Sequence, residues 1–446
     1  MIHVLGLGLC PAHRSPEALN LIRSADLVAG GRRLLDELGI TEDRRLALAS
    51  MDEFAARIRD RAQDGSVCVL ADGDPLLYGI GASLLRFFAP HELTFHPNVS
   101  AMQTACARFG LPWHDCKTLS LHGRSDLAPL FAALSHGSVA ALYTDQQHSP
   151  DAIAELLLER GVKGWRMHVA ENLCAPEERL TTLTLAEAAQ RRWHTLNLVL
   201  LERTEAPPLT LELGLDDSAL AHDQGLMTKQ PVRAFALSLL RLTPDATLWD
   251  LGAGSGAVSL EAARLLGNGR VVAVERQAER VRHIRENVER TGAWLVEVVH
   301  ASLEDFLEEK NGSYRTYGTR GTYKKADKAQ DERPGCLEYT SHMPHTTHMS
   351  HSSYSSLPTH IFLGGGASAP VLAQCAALLS PGGRMVVAAV LLSTLEAARA
   401  AFTHMGWPLT VHQLMHHASS PLGADLRLVP SNPVFLLETQ KPSSDT

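Results

Sequence analysis

The chain of 446 residues lacks the cysteine patterns of a disulfide framework or a zinc knuckle. Its seven cysteines (Cys10, Cys68, Cys106, Cys116, Cys174, Cys336 and Cys375) are scattered, odd in number and without a C-x-x-C pair. This argues for small core residues in a reducing compartment rather than for a stapled secreted fold. No apolar run approaches the ~18 residues that a membrane span needs. The start, Met1–Cys10, is apolar but has no basic flank and is too short for a secretion signal. A first strand and glycine turn explain it better than a lipoprotein cleavage site, so the expected location is the cytoplasm. A basic excess is missing too: net charge is −8 and the isoelectric point ≈ 6.3. That disfavours a general nucleic-acid binder and leaves room for a local basic pocket. There is no evident Ser-His-Asp or Cys-His constellation and no short internal repeat.

What is present is α/β alternation. In the first 205 residues, strands are expected at His3–Leu7, Val67–Ala71, Thr118–Leu121, Val139–Tyr143, Met167–Glu171 and Leu196–Glu202. Helices such as Pro16–Ala25 and Asp151–Glu159 fill the gaps. This alternation implies mostly parallel sheets covered by helices. Weak periodicity from Ala206 to about Gln224 marks a boundary, with residues 206–220 as linker and 221–446 as a second domain. There the expected order is helix Gln230–Arg241, strand Thr247–Leu251, helix Ala257–Leu266, strand Arg270–Glu275, helix Arg276–Thr291 and strand Leu295–His300. Strand His360–Leu363, helix Pro370–Leu379 and strand Arg384–Ala389 follow. Residues 310–358 are rich in Ser, Thr, Tyr, His, Lys and Gly and poor in aliphatic residues, so they read as a disordered surface insertion.

The most informative stretch is WDLGAGSG at Trp249–Gly256, followed by RVVAVE at Arg270–Glu275. A strand stops at a glycine-rich turn, a helix follows, and the next strand ends on an acid. Such glycines let backbone approach a ligand, and such an acid holds ribose hydroxyls. The first half has its own turns at expected strand ends: Gly6 and Gly8, then Gly73-Asp74-Pro75 with Tyr78-Gly79, then His96–Ser100. Turns of this kind open a crevice at the carboxyl edge of a sheet.

WDLGAGSG resembles the first motif of class I S-adenosylmethionine-dependent methyltransferases. The stretches VLGLG (Val4–Gly8), LADGDPLLYG (Leu70–Gly79), HPNVSA (His96–Ala101), LHGR (Leu121–Arg124) and Glu171–Leu173 resemble the tetrapyrrole methylase family. They are closest to its cobalamin-pathway branch that methylates precorrin-6Y at C5. Residues 221–440 resemble the companion family that methylates C15 and removes a carboxyl group. Its matching pieces are Gly225–Lys229, Trp249–Gly256, Val274-Glu275, Arg285–Asn287, Ile361–Gly366, Pro381–Gly383 and Asn432–Phe435. Together the two imply an N-terminal tetrapyrrole-methylase fold of two α/β subdomains with a cleft, then a Rossmann-like class I methyltransferase.

The resemblance implies S-adenosylmethionine as cofactor, bound by Gly6, Gly8, Gly73, Asp74, Pro75, Ser100 and Asn172 in the first half. In the second half it implies Thr228, Gly252, Ala253, Gly254, Ser255, Gly256, Glu275 and Ala301. It implies C5 and C15 methylation of precorrin-6Y (6B) with loss of the C12 acetate carboxyl, giving precorrin-8. The partner is then a tetrapyrrole, with no nucleic acid or membrane, in a homo-oligomer. This sequence departs from the pattern in its first loop, Gly6–Pro11, which is shorter and carries Cys10, and in the 310–358 insertion, which is either a passive loop or a lid.

A polycarboxylate substrate calls for guanidinium and ammonium groups. Candidates are Arg32, Arg33, Arg124, Lys229, Arg233 and Arg427, with Gly364, Gly365 and Gly366 facing the substrate. No catalytic residue is assigned, since methyl transfer needs alignment more than a strong base. His342, His345, His348 and His351 recur every three residues, but in a low-complexity loop they are read as polar spacing, and no metal ligand is assigned. Two other readings compete: a methyltransferase acting on another substrate such as tRNA, with a degraded N-terminal site, and a non-catalytic scaffold. His122 and His222 are expected to be structural or rim residues.

Overall fold

The computed structural model describes residues 1–223, 227–318 and 357–443, without the side chains of 313–318. The chain divides into two compact units. The first is Met1–Arg124 with Gly137–Ala206, and the second is Ser125–His136 with Pro207–Thr446.

The first unit carries two sheets. Strands β1 (Ile2–Gly6), β2 (Leu27–Gly30), β3 (Arg45–Ala47), β4 (Val67–Ala71) and β5 (Leu93–His96) form one of order β3-β2-β4-β1-β5. Every pairing in it is parallel. β4 reads VCVLA and is buried along its whole length, as a strand covered on both faces must be. The second sheet joins β6 (Lys117–Ser120), β7 (Val139–Tyr143), β8 (Trp165–Glu171), β9 (Arg179–Thr184) and β10 (Asn197–Arg203) in the order β6-β7-β10-β8-β9. Here only β6 pairs parallel; the other three pairings are antiparallel. The expectation of mostly parallel sheets therefore fails for this one. The short 172–178 connection lets β9 fold straight back on β8, which only antiparallel strands allow.

The second unit carries β11 (Thr247–Leu251), β12 (Arg270–Glu275), β13 (Val296–His300), β14 (His360–Leu363), β15 (Arg384–Ala389), β16 (Leu409–Leu414), β17 (His417–Leu422), β18 (Asp425–Pro430) and β19 (Val434–Gln440). Seven of them form a sheet of order β13-β12-β11-β14-β15-β19-β16, while β17 and β18 make a separate hairpin. The five strands from β13 to β15 run parallel, and β19 and β16 close the edge antiparallel. The order reverses between β11 and β14, and such a switch point is where α/β sheets open a crevice at their carboxyl ends. Trp249, Val272, Val274, Ile361 and Val387 fill one core beneath it, with the Phe306 ring edge-on to Trp249 at 4.9 Å.

Two segments depart from their expected places. The helix Ala128–His136 lies in the sequence between β6 and β7, yet it belongs to the second unit. Leu130, Phe131 and Leu134 are buried. Ser135 Oγ accepts the Leu295 N–H at 2.9 Å, the His136 ring bonds Leu266 O at 2.8 Å, and Asp126 pairs with Arg270. The expected insertion also begins too early, because the helix Leu303–Gly318 runs through its first residues. Ser302 starts that helix by accepting the Asp305 N–H at 3.0 Å, and Glu308, Glu309 and Lys310 are good helix formers. Most of the remaining 310–358 segment, with the histidine run, lies outside the described residues, as does Gly225.

Candidate active site

At the switch point of unit 2, the β11 turn meets the β14 turn with nothing between them but backbone. A Cβ on Gly252 would lie 3.2 Å from Gly365 N, and one on Gly364 would lie 3.1 Å from Gly252 O. Gly252 has φ +71 and Gly254 φ +60, a region open to glycine at little cost. A Cβ on Gly365 would meet nothing within 4 Å. This floor opens into a cleft of ≈ 910 Å³. Its walls include Thr228, Lys229, Gly252, Ala253, Gly254, Ser255, Glu275, Ala301 and Gly364, Gly365 and Gly366. Gly256 stands apart from them: it caps the helix Ala257–Leu265 at φ +77, and a Cβ there would come 2.8 Å from Ile284. Its glycine serves helix packing.

Glu275 ends β12 with its carboxylate buried and held by three backbone donors. Gly254 N–H reaches Oε2 at 3.0 Å, and Arg276 and Gln277 N–H reach Oε1 at 3.0 Å each. A carboxylate offers about four lone-pair sites, so a hydroxyl donor can still bind here. Asn287 locks the approach: it exchanges bonds with Ala221 at 2.8 and 2.9 Å and donates to Ser255 O at 3.0 Å. Behind the turn, burial pushes the Asp250 carboxyl up to about 7, against a 2.5 Å bond from Ser259, while the Glu275 charge adds to the rise. Among the described residues its Oδ1 has no partner.

Of the cations expected to grip substrate, Lys229 lies in the cleft wall. Arg233 does not. It is fully buried, with Nε on Glu261 at 2.8 Å and its other nitrogens on Asp217, Thr228 O and Leu215 O. Its fork is spent on holding the start of the unit. Arg427 sits on β18, a strand exposed along its length, and does not line the cleft. Arg33 pairs with Glu37 and Asp72, and Arg32 starts a surface helix. Sequence reasoning missed Arg276, Arg280 and His416, which do line the cleft. Arg276 directly follows the Glu275 it helps hold, which was the available signal. His416 lies in the β16–β17 connection, where no motif pointed.

In unit 1 Gly6, Gly8, Gly73, Asp74, Pro75 and Ser100 come together at the ends of β1 and β4. Gly8 and Gly73 form an isolated bridge, with Gly73 N–H on Gly8 O at 3.0 Å. A Cβ on Gly6 would stand 2.7 Å from Gly73 O and 3.0 Å from Pro75. Asp74 accepts Leu76 N–H at 2.8 Å and Asn98 N–H at 3.2 Å, and Asn98 Nδ2 donates to Gly6 O at 2.8 Å. Ser100, buried, caps the helix Ala101–Phe109, and its Cα is 3.5 Å from where a Gly73 Cβ would sit. Asn172 follows β8 at φ +50, with its N–H on Leu196 O at 3.0 Å. Arg124 closes a turn onto Leu121 O at 3.1 Å. The nearby Tyr78 hydroxyl donates to Thr118 O at 2.6 Å.

Comparison with known proteins places both units. Residues 1–189 match the family of tetrapyrrole (corrin/porphyrin) methylases, and residues 218–313 and 341–441 match the precorrin methyltransferase domain, passing over 314–340. Precorrin-6Y C(5,15)-methyltransferase (decarboxylating) of Mycobacterium tuberculosis is 29% identical over 453 residues, covering 97% of this chain and 98% of that one. Cobalt-precorrin-7 C(5)-methyltransferase of Salmonella typhimurium is 36% identical over 189 residues, 42% of this chain and 92% of its own. Cobalt-precorrin-6B C(15)-methyltransferase (decarboxylating) of the same organism is 28% identical over 229 residues, 51% of this chain and 95% of its own. The chain belongs to the tetrapyrrole methylases through its first unit and to the precorrin methyltransferases through its second, and it is a C-methyltransferase.

Proposed function

We propose that this chain methylates precorrin-6Y (6B) at C5 and C15 and removes the carboxyl of its C12 acetate, giving precorrin-8 in cobalamin biosynthesis. The observation that carries this reading is the side-chain-free floor of Gly252, Gly254 and Gly365 beside the buried Glu275 carboxylate, at the sheet's switch point. That cradle fits S-adenosylmethionine: Gly252–Ser255 admit its methionine part, and the free lone pair of Glu275 takes a ribose hydroxyl. When bound, the cofactor supplies an electrophilic methyl group on a sulfonium. In unit 1 the second donor site is formed by Gly6, Gly8, Gly73, Asp74, Pro75, Ser100 and Asn172, with Asn98 fixing the turn.

The chain's residues bind and orient. Ligand clefts commonly hold ~300–1,000 Å³, so the ≈ 910 Å³ cleft of unit 2 has room for more than the cofactor. Lys229, Arg276 and Arg280 bring positive charge to its wall, suited to the carboxylates of a corrin precursor. Val390 and Leu391 offer an exposed apolar wall for the macrocycle face. Alignment of carbon, methyl and sulfur in such a cleft is the main catalytic contribution. The electron pair left by carbon dioxide is taken up by the macrocycle, and the residue that returns a proton is not assigned.

The tRNA reading is disfavoured, since relatives of both units are named for precorrins. Cytoplasmic residence and homo-oligomeric assembly complete the proposal; among the described residues no helix is long and apolar enough to cross a membrane. Mass spectrometry of the chain incubated with precorrin-6Y and S-adenosylmethionine tests it. Two methyl groups gained and one carbon dioxide lost is the expected change; no change in substrate mass would overturn it.

A further inference from the structure

Three soft ligand groups converge in unit 1 that the methyl-transfer chemistry does not use. The thiols of Cys10 and Cys174 and a ring nitrogen of His13 all lie within 4.8 Å of one another, on half-buried residues. We propose that Cys10, His13 and Cys174 bind one thiophilic divalent transition-metal ion, of the zinc or cobalt kind, which ties the loop after β1 to the loop after β8.

The donor set selects the metal class. Two thiolates and one imidazole suit a soft or borderline ion and not magnesium or calcium. In a tetrahedral site with metal–sulfur and metal–nitrogen bonds of usual length, neighbouring donors lie roughly 3.3–3.8 Å apart. The three donor atoms, within 4.8 Å of one another, close by roughly 1 Å to reach that spacing.

That backbone is held on both sides. Cys10 precedes the tight turn Pro11–His13, and His13 N–H bonds Cys10 O at 3.0 Å. Asn98 Nδ2 donates to His13 O at 3.0 Å and to Gly6 O at 2.8 Å, which pins the turn to the end of β1. Gly8, at φ +64, is glycine because a Cβ there would stand 2.4 Å from His13 Cβ. Cys174 sits at φ +63, a conformation costly for a side chain with a Cβ and tolerated where surrounding structure enforces it. The enforcement is visible: Cys174 N–H donates to Glu178 at 2.6 Å, and Glu178 pairs with Arg108 at 2.9 Å. Burial pushes the Cys174 thiol up, and the Arg108 charge opposes that rise.

Binding is a proton-for-metal exchange without redox change. Two S–H bonds break, two sulfur–metal bonds and one nitrogen–metal bond form, and two protons leave to solvent. Leu9 N–H now donates to His13 Nδ1 at 3.1 Å, so an ion at that nitrogen replaces one hydrogen bond. A tetrahedral ion keeps its fourth position for water. This site goes beyond the methyltransferase reading and does not depend on it. The other close thiol pair of unit 1, Cys106 with Cys116, is not part of a comparable group among the described residues.

The test uses the full chain, reduced, stripped with a chelator and titrated with Co²⁺ alone without oxygen. One equivalent should saturate a thiolate-to-cobalt charge-transfer band in the near ultraviolet, together with intense visible bands of a four-coordinate ion. Zn²⁺ should bleach both. Cys10→Ser and Cys174→Ser should each lose the charge-transfer band, while Cys68→Ser, in the core of the first sheet, should keep it. Circular dichroism confirms that each variant is folded, and His13→Gln provides a third ligand variant that should weaken binding without altering a thiol. The proposal is overturned if no thiolate band appears at one equivalent, including the case of weak bands from imidazole ligands alone. It is overturned equally if the band survives in folded Cys10→Ser or Cys174→Ser protein.

Discussion

At Gly365 in the cleft of unit 2, glycine leaves empty room; at Gly6 and Gly8 in the turns of unit 1, it leaves room for other protein atoms. A side chain on Gly365 would meet nothing within 4 Å, whereas one on Gly6 would run into Gly73 O at 2.7 Å and one on Gly8 into His13 at 2.4 Å. Both sets look alike in sequence, since each follows a strand and precedes a helix or turn. The physical jobs differ. The unit 2 glycines form a floor that a ligand can rest on, while those of unit 1 let two strand ends touch and be clamped by Asn98 and Asp74. One glycine pattern thus leaves open space at Gly365 in one unit and joins two strand ends, within the proposed second donor site, in the other.

The comparison presupposes two separate bodies, and the strongest way to break it is to cut the chain. A fragment of residues 207–446 loses the helix Ala128–His136, which belongs to the second unit. Each of the buried Leu130, Phe131 and Leu134 is worth ~1.5–3 kcal/mol, a sum comparable to much of a domain's stability. The fragment should aggregate or melt far below the second unit of the whole chain. Equal melting temperatures in calorimetry would show that the helix does not stabilise that unit.

Removing the Glu275 carboxylate sharpens the contrast between the two donor sites. Glu275→Ala takes away a charged acceptor and should weaken donor binding in unit 2 by about 1.5–3 kcal/mol, roughly ten- to a hundredfold. C15 methylation and decarboxylation should fall, with C5 methylation continuing; product masses report each step. Equal loss of both methylations would contradict separate sites.

A smaller effect concerns pH. Burial raises the Asp250 carboxyl from 3.8 to about 7, so the folded chain keeps a proton there that the unfolded chain has released. Stability from this group is present below the unfolded value and declines as pH rises from about 4 to 7, where it levels off. Asp250→Asn should flatten that slope for unit 2 between about pH 4 and 7, read as melting temperature. A wild-type slope that persists in the variant would assign the titration to another group.

The smallest effect is expected at the insertion. The family match passes over residues 314–340, and closing a loop depends only weakly on its length. Replacing 319–356 by a short Gly/Ser linker should leave both methylation rates and the decarboxylation rate unchanged. A large drop in decarboxylation would make the segment part of the active site.

The sequence made the nucleotide-type half of unit 2 readable because its strands are short apolar runs, three of these four ended by glycine or an acid. Thr247–Leu251, Arg270–Glu275, His360–Leu363 and Arg384–Ala389 are strands with the very bounds their composition suggests. Strand direction left no such mark: β8 and β10 read like parallel strands, because alternation and burial do not encode orientation, and β9 was not among the expected strands at all. Arg233 looked like a substrate clamp because its partners, Asp217 and Glu261, are remote in sequence and meet it only after folding. The allegiance of Ser125–His136 was hidden for the same reason, since its contacts at Leu266, Arg270 and Leu295 lie in the other half of the chain.

The central claim is that one chain carries two independent donor sites. Isothermal titration with S-adenosylhomocysteine tests it most directly. The account predicts two binding events per wild-type chain and, in Glu275→Ala, one of them weakened roughly ten- to a hundredfold with the other affinity unchanged. A single event in the wild type that weakens in the variant would mean that only the glycine floor of unit 2 binds the donor and that the turns of unit 1 are structural alone.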